Sequence, residues 1–261
     1  MDQDKTLSRI DYLARALKAP RIRENARALA PRALEEAWTG PQYLEAVLSA
    51  EVAAREASGA RIRIKGAGFP AIKTVTDFNF DHQPDADPGQ IHRLAAGGYL
   101  AEHRNIILLG PPGTGKTHLA IALGISAATA GTRVAFDTAA GWGSRLQSAH
   151  GVGRLDAELR KIDRYGLIAI DEVGYLPFSG DAAHLFFQLV ARRYETASII
   201  LTSNLAFSRW GEVFGDQVVA AAMIDRMAHH ADIITLTGSS YRLRHNDIDT
   251  LPSATAENKA H

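Results

Sequence analysis

Residues 105–124 read NIILLGPPGTGKTHLAIALG, and this stretch decides the fold. A short apolar run is followed by a turn rich in glycine and proline, and then by apolar residues at helical spacing. The run predicts a buried strand, and the last part predicts a helix. Gly110, Gly113 and Gly115 allow the backbone between them to curl tightly, because glycine has no Cβ. The stretch therefore predicts a strand, a compact loop and a helix in immediate succession.

The predicted loop has the properties of a polyphosphate site. Its inward N–H groups and the positive end of the next helix attract anions. At this spacing Lys116 reaches the β- and γ-phosphates, and the Thr117 hydroxyl joins a Mg²⁺ ion. A chance glycine-rich turn is the alternative, but a strand and a helix flank this turn, as the motif requires. The residues predicted to bind the nucleotide are Gly110, Pro111, Pro112, Gly113, Thr114, Gly115, Lys116, Thr117 and His118.

Short apolar runs alternate with helical patterns in the rest of the chain. The runs are nearly continuous in apolar residues, which is typical of strands buried on both faces of a parallel sheet. The alternation predicts an α/β fold with a parallel five-stranded sheet. The predicted strands cover 105–110, 132–138, 166–172, 198–204 and 232–237.

The N-terminal part has a different pattern. Apolar residues at helical spacing predict about three helices within residues 1–59, and Pro41 suits the first turn of one of them. We predict a small N-terminal helical domain over 1–75, a nucleotide-binding domain over 76–251, and a disordered polar tail over 252–261.

Composition excludes several classes of protein. The 29 basic and 29 acidic residues cancel, so overall charge names no partner. The chain has no cysteine, which excludes disulfides and thiolate zinc sites. It also lacks an apolar run long enough to span a bilayer and an apolar signal core at its charged start. We expect a cytoplasmic protein without a membrane partner.

Acidic and amide side chains follow two of the predicted strands. Asp171 and Glu172 end the run LIAIDE, at the strand end where α/β sheets bind ligands. Asp171 would complete the Mg²⁺ shell, and Glu172 would polarise the attacking water; a solvated turn is the alternative. Asn204 ends SIILTSN and would hold that water or the γ-phosphate, unless it caps the next helix.

These motifs together resemble those of the AAA+ ATPases. The stretches GPPGTGKT, LIAIDE and LTSN correspond to Walker A, Walker B and sensor 1. Further stretches resemble one branch, the IstB-like transposition helpers, which are relatives of the helicase loader DnaC. These stretches are RIKGAGFPAIKTVTDFNF, IDEVGYLPFS, WGEVFGD and MIDRMAHHADIITLTGSSYRLR.

The resemblance implies an ATP-hydrolysing bacterial protein that forms homo-oligomers on double-stranded DNA, remodels the DNA and recruits a cognate DDE transposase. It implies ATP and Mg²⁺ as cofactors, and ATP sites shared between subunits. Arg226 matches the arginine finger; an ion pair with Asp225 or Asp232 is the alternative. Arg242 matches a second phosphate sensor, although the short polar segment after Thr237 predicts no full C-terminal lid.

Basic residues outside the loop are candidates for DNA contact. Arg61, Arg63 and Lys65 would share one face of an extended RIRIK segment, and Lys73 follows nearby. Arg154 lies in a glycine-containing loop and could face DNA in an assembly, together with Arg145 and Lys161. A solvated basic face is the alternative. Nothing resembles a base-reading helix, so weak sequence specificity is expected.

Three functions remain open at this point. The first is a DNA-assembling ATPase that serves transposition, and the second is a DnaC-like helicase loader. The third is a small-molecule phosphotransferase that works without DNA or neighbouring subunits.

Overall fold

The computed structural model describes residues 3–178 and 180–238 of the chain, without the side chain of Gln3. The chain divides into two compact units, Met1–Ile62 and Arg63–His261. No helix among the described residues combines the length and apolar character needed to cross a membrane.

The first unit consists of helices. Helix α1 spans Gln3–Ala16, α2 spans Pro20–Glu35, and α3 spans Gly40–Gly66. Pro20 and Pro41 lie in the first turns of α2 and α3, where a missing N–H costs no helical hydrogen bond. The Glu51 carboxylate accepts a 2.9 Å bond from the Arg21 amide at the start of α2.

Helix α3 corrects one prediction. The segment RIRIK would place its three basic residues on one face if it were extended, but it is helical and forms the end of α3. Arg61 and Lys65 are four residues apart and share a helix face, whereas Arg63 lies on another face. Ile64, Ala67 and Phe69 belong to the apolar core of the second unit. Along the chain, the division between the two compact units follows Ile62.

The second unit is built on the predicted parallel sheet. Strand order is β2-β3-β4-β1-β5, and the paired strands are parallel. The α/β class with five parallel strands is thus confirmed. The strands are β1 Asn105–Leu109, β2 Val134–Thr138, β3 Leu167–Val173, β4 Ser198–Ser203 and β5 Ala231–Thr235.

Helices cover both faces of this sheet. Alternate strand residues point to opposite faces: Ile107 and Ile168 join one apolar cluster, whereas Ile106 and Leu167 join another. Both faces are therefore buried, which explains the continuous apolar runs. The helices are α4 Pro88–Ala95, α5 Gly98–Ala101, α6 Lys116–Thr129, α7 Ala139–Gly151, α8 Leu155–Ile162, α9 Ala182–Arg193, α10 Trp210–Phe214 and α11 Gln217–Ala228.

An irregularity in the sheet shapes its ligand-binding edge. The register between β3 and β4 shifts between Ile170 and Val173. Such a bulge redirects the side chains of the bulged strand. It falls on Asp171 and Glu172, beside the loop that joins β1 to α6.

Candidate functional site

The loop between β1 and α6 requires its glycines. Gly110, Gly113 and Gly115 all have positive φ angles, of 144°, 83° and 94°. A Cβ on Gly110 would lie 2.0 Å from the Leu236 carbonyl oxygen, and one on Gly115 would lie 2.6 Å from the Phe78 ring. Side chains at these two positions would clash as well as strain the backbone, so the loop is built for glycine.

Lys116 is the first residue of α6 and is almost fully buried. Its Nζ donates hydrogen bonds to the carbonyl oxygens of Gly110 and Pro111, each over 2.7 Å. The ammonium group is therefore held over the start of the loop. Because its burial is compensated by carbonyl dipoles, the positive charge stays next to the helix N-terminus, where anions bind favourably.

Asp171 lies beside the loop and is buried. Its carboxylate accepts bonds from the Thr117 hydroxyl, over 2.9 and 3.1 Å to the two oxygens, and from the Thr202 hydroxyl over 2.6 Å. In the described part of the chain, it has no ion pair with a lysine, arginine or histidine. A buried carboxylate next to a hydroxyl is the hard oxygen donor set that Mg²⁺ prefers. The residues predicted to bind the metal therefore fit it.

Glu172 has a different environment from its neighbour. Its side chain is exposed, and its backbone is left-handed, with φ of 62°. This conformation is uncommon for a residue with a Cβ and clusters at functional sites. The Glu172 N–H donates a 3.0 Å hydrogen bond to Thr202 Oγ1, which helps to hold the backbone of Glu172 in this conformation. The bulge therefore gives the two acids separate positions, one buried and one accessible.

Asn204 directly follows β4. It does not cap the next helical turn, whose N-cap residue is Ala206. Its Oδ1 is buried and has no hydrogen-bond partner among the residues that the structure describes. A buried acceptor without a donor is costly, by about 1–3 kcal/mol. Asn204 therefore stays a candidate for contact with a ligand at this edge of the sheet.

Two cavities flank the glycine loop. One has a volume of about 500 Å³ and is lined by residues 113–118 together with Phe78 and Gln83. The other, of about 410 Å³, is lined by Thr117, Asp171 and Glu172 among others. Thr117 borders both. The arrangement provides room for a base and sugar on one side of the loop and for a metal and water on the other.

Arg226 lies on α11. It forms no ion pair within residues 3–178 and 180–238, and Asp232 pairs with Arg104 over 3.2 Å. The guanidinium lies over the ring of Phe187, with Cζ 4.6 Å from the centroid. Neither of the ion pairs considered as alternatives, with Asp225 or with Asp232, is therefore formed. Arg242 lies outside the described residues.

The predicted DNA-contact residues are in unequal surroundings. The Arg63 side chain forms a contact within the fold: its Nε donates a 2.6 Å hydrogen bond to the Ala128 carbonyl at the end of α6. Arg61, Lys65, Lys73 and Arg154 are exposed.

Two other basic residues that were considered together with Arg154 form ion pairs within the fold. Arg145 and Lys161 bind Glu158, over 2.6 and 2.9 Å.

His118 Nε2 lies 2.9 Å from the Thr74 carbonyl and so supports the wall of the larger cavity.

Sequence reasoning missed Thr202 as part of this site. It was counted only as one residue of a buried strand, yet it links Asp171 to Glu172. A hydroxyl inside a strand that is otherwise apolar was the signal available, because buried polar groups need partners.

Comparison with known proteins identifies the family. Residues 12–248 match the family of IstB-like ATP binding proteins. The chain is 40% identical over 235 residues to the insertion sequence IS21 ATP-binding protein of Pseudomonas aeruginosa, covering 90% of this chain and 89% of the relative. It is 40% identical over 236 residues to the IS5376 ATP-binding protein of Geobacillus stearothermophilus, covering 90% and 94%.

Solved structures support the fold. DnaA from Aquifex aeolicus, bound to AMPPCP, has a TM-score of 0.55 at 20% identity and covers 68% of this chain and 54% of that chain. DnaI has a TM-score of 0.53 at 18% identity, covering 68% and 94%. The match over most of the sequence and the complete phosphate loop lead to one conclusion: the chain belongs to the IstB-like ATP binding proteins and is an ATPase with an AAA+ fold.

Proposed function

We propose that this protein is an ATP-dependent, DNA-binding transposition helper of an insertion sequence. It assembles on duplex DNA, remodels it and recruits or activates a transposase of the same element. The observation that carries the proposal is the 40% identity to insertion sequence ATP-binding proteins along 90% of the chain. The residues around the glycine loop supply the ATP-dependent part.

We assign a role to each side chain of the nucleotide site. The loop amides and Lys116 bind the phosphates, and Thr117 and Asp171 hold Mg²⁺. Bound Mg²⁺ neutralises charge that develops on the phosphates. Glu172 accepts a proton from the attacking water, a contribution of about 10²–10⁴-fold in rate for a general base. Asn204 uses its amide to orient the water or the γ-phosphate.

Arg226 makes the site depend on assembly. Its guanidinium has no acidic partner in the described ranges and rests on Phe187. Arginine keeps its charge at all physiological pH values and stabilises phosphoryl transfer when it is supplied by a neighbour. We assign Arg226 to the site of an adjacent subunit, so that hydrolysis is coupled to oligomer formation.

The DNA-binding part rests on four exposed basic side chains, which take part in no ion pair within residues 3–178 and 180–238. Arg61, Lys65, Lys73 and Arg154 are exposed, and the hydrogen bonds and ion pairs that engage Arg63, Arg145 and Lys161 do not involve them. We assign these side chains to phosphate contacts, so binding should be salt-dependent and weakly sequence-specific.

The test is duplex binding as a function of nucleotide. Fluorescent duplexes of increasing length are titrated with protein in ATP, in ADP and without nucleotide, at physiological salt, and particle size is measured in parallel. We expect assembly that requires ATP, grows with duplex length and is lost in Lys116→Ala. An Arg209→Ala variant, in which an exposed pair with Glu212 is removed, serves as the control.

The opposite result would redirect the assignment. Absence of duplex binding in all three nucleotide states would contradict the proposal. A preference for single strands, with capture of a replicative helicase, would indicate a helicase loader instead. Hydrolysis that is independent of both DNA and protein concentration would indicate a stand-alone phosphotransferase.

A further inference from the structure

The larger cavity beside the glycine loop contains one buried acceptor that the fold does not use. Gln83 lines this cavity and is 4% exposed. Its Oε1 is buried and receives no hydrogen bond from any residue that the structure describes. A buried carbonyl-type oxygen without a donor costs about 1–3 kcal/mol, which favours a ligand or water that supplies one.

Other polar groups in the same wall are engaged in holding the wall together. Asn79 Oδ1 accepts bonds from the backbone N–H groups of Asp81 and His82, over 3.0 and 3.3 Å. The Asp77 carboxylate accepts bonds from the amide and hydroxyl of Thr74, over 3.1 and 2.6 Å. These contacts hold the loop in shape. None of them involves Gln83 Oε1.

The backbone of Gln83 is fixed on both sides. Its N–H donates to the Phe80 carbonyl and its carbonyl accepts from Ala86, each over 3.0 Å. Nearby, the Asp85 carboxylate accepts hydrogen bonds from the amide and hydroxyl of Thr237, beyond the end of β5. The segment that carries Gln83 is thus anchored to the residues that follow β5.

The rest of the cavity suits a flat apolar ring. Phe78, Ile72, Pro70 and Ile121 contribute to its lining, and the glycine loop closes one end. Because Asp171 and Glu172 line the smaller cavity, we assign the base of a bound nucleotide to the larger one. Adenine carries a donor amino group at position 6, whereas guanine carries an acceptor oxygen there.

We propose that Gln83 is the residue that selects adenine, by accepting a hydrogen bond from the N6 amino group. This rests on the phosphate-site assignment of the glycine loop and goes beyond it, because phosphate contacts cannot distinguish bases. A guanine O6 would face Gln83 Oε1 without a proton between them, as long as the amide keeps the orientation it has in the structure. The selectivity of the site for ATP over GTP then comes from one buried amide.

A binding cycle tests the proposal without relying on hydrolysis. The β,γ-methylene triphosphates of adenosine, purine riboside and guanosine are titrated calorimetrically into wild type and Gln83→Met. Purine riboside lacks only the 6-amino group. We expect wild type to bind the adenosine compound about tenfold more tightly than the purine compound, as one hydrogen bond would give. Gln83→Met should bind both alike, at the weaker level.

Two further variants sharpen the cycle. Gln83→Glu has an acceptor that cannot rotate into a donor, so we expect it to keep the adenosine preference and to reject the guanosine compound more strongly than wild type. Gln90→Met makes the same exchange on α4, at a residue that does not line the cavity, and should behave as wild type.

Equal affinity of wild type for the adenosine and purine compounds would overturn the proposal and would indicate that water satisfies Oε1. A tenfold preference that survives in Gln83→Met would overturn it too. In both cases phosphate binding would persist and would still be lost in Lys116→Ala. Failure of the base assignment is therefore distinguishable from failure of the proposed function, which is read from DNA assembly.

Discussion

The hydroxyl of Thr202 donates a 2.6 Å hydrogen bond to the Asp171 carboxylate across the β3–β4 ladder. Thr202 is buried, and its Oγ1 also accepts the Glu172 N–H. One strand thus fixes both acids of the neighbouring strand. The proposed metal ligand Asp171 and the proposed base Glu172 therefore both depend on Thr202.

Thr202→Val should reduce hydrolysis more than nucleotide binding. The exchange preserves shape but removes one donor from a buried carboxylate and one acceptor from Glu172. We expect kcat to fall about tenfold and unfolding free energy to fall by about 1–3 kcal/mol. Steady-state ATPase assays, calorimetric ATP titration and denaturant unfolding measure the three quantities. Thr202→Ser keeps the hydroxyl and should stay near wild type; an unchanged kcat in Thr202→Val would contradict the role.

Glu172→Gln should separate binding from hydrolysis. Glutamine keeps the size of the side chain but cannot accept a proton from water, so the rate should fall by about 10²–10⁴-fold. ATP affinity should change little, because the phosphates are held by the loop and Lys116. Single-turnover hydrolysis and equilibrium ATP binding are the measurements. A variant that loses binding together with rate would show that Glu172 has a structural role at the bulge.

Much of this site could be predicted from the sequence because its parts are local. The loop, Lys116 and Thr117 are contiguous, and their spacing alone defines their geometry. Asp171 and Asn204 could be placed because parallel strands end at the same edge of a sheet. Thr202 and Gln83 could not be placed, since their importance depends on contacts across strands and on a cavity.

For RIRIK, the shared basic face depended on an extended segment, and that condition is not met for a related reason. Alternating basic and β-branched residues favour a strand locally, but a strand needs a partner to accept its hydrogen bonds. The segment continues the α3 helix instead, and Arg63 reaches carbonyls at the end of α6. Tertiary contacts of this kind override local preference and are invisible in the pattern.

Subunits carrying Arg226→Ala and Lys116→Ala should restore activity when mixed. Each variant alone lacks one half of every site. In a mixed oligomer, an intact loop from one subunit meets an intact arginine from the other, so part of the ATPase rate returns. The expected recovery is large, because an arginine supplied in trans contributes about 10³–10⁵-fold. ATPase assays over a range of mixing ratios measure it.

The control for this mixture uses two defects on the same side. Lys116→Ala and Glu172→Gln both damage the half-site formed by one subunit, so this pair should give no recovery. Recovery in the control, or none in the test mixture, would contradict a shared site with Arg226 in trans.

Glu51 should make the helical unit sensitive to acid. Its carboxylate accepts bonds from Arg55 Nε, over 2.5 Å, and from the Arg21 amide. The Arg55 guanidinium is the main reason that the pKa of Glu51 lies below its usual value. A lowered pKa stabilises the fold above the unfolded-state pKa, and that contribution disappears as pH falls through the folded value. Denaturant unfolding should show a gap between wild type and Glu51→Gln near neutral pH that closes below about pH 4. A gap of constant size would contradict the linkage.

Substitutions of Arg63 and Arg61 should separate an effect on folding stability from an effect on DNA binding. Arg63→Ala removes donors from the carbonyls of Ala128 and Thr129 at the end of α6, so we expect about 1–3 kcal/mol less unfolding free energy. Arg61 is exposed, and Arg61→Ala should change stability by less than about 0.5 kcal/mol.

On duplex DNA the order reverses: Arg61→Ala should reduce the slope of log affinity against log salt by about 1, because a phosphate contact is lost. Denaturant unfolding and salt-dependent DNA titration of both variants measure these effects. An unchanged salt slope in Arg61→Ala would remove this residue from the proposed DNA surface, and unchanged stability in Arg63→Ala would show that the α6 carbonyls find water as an equal partner.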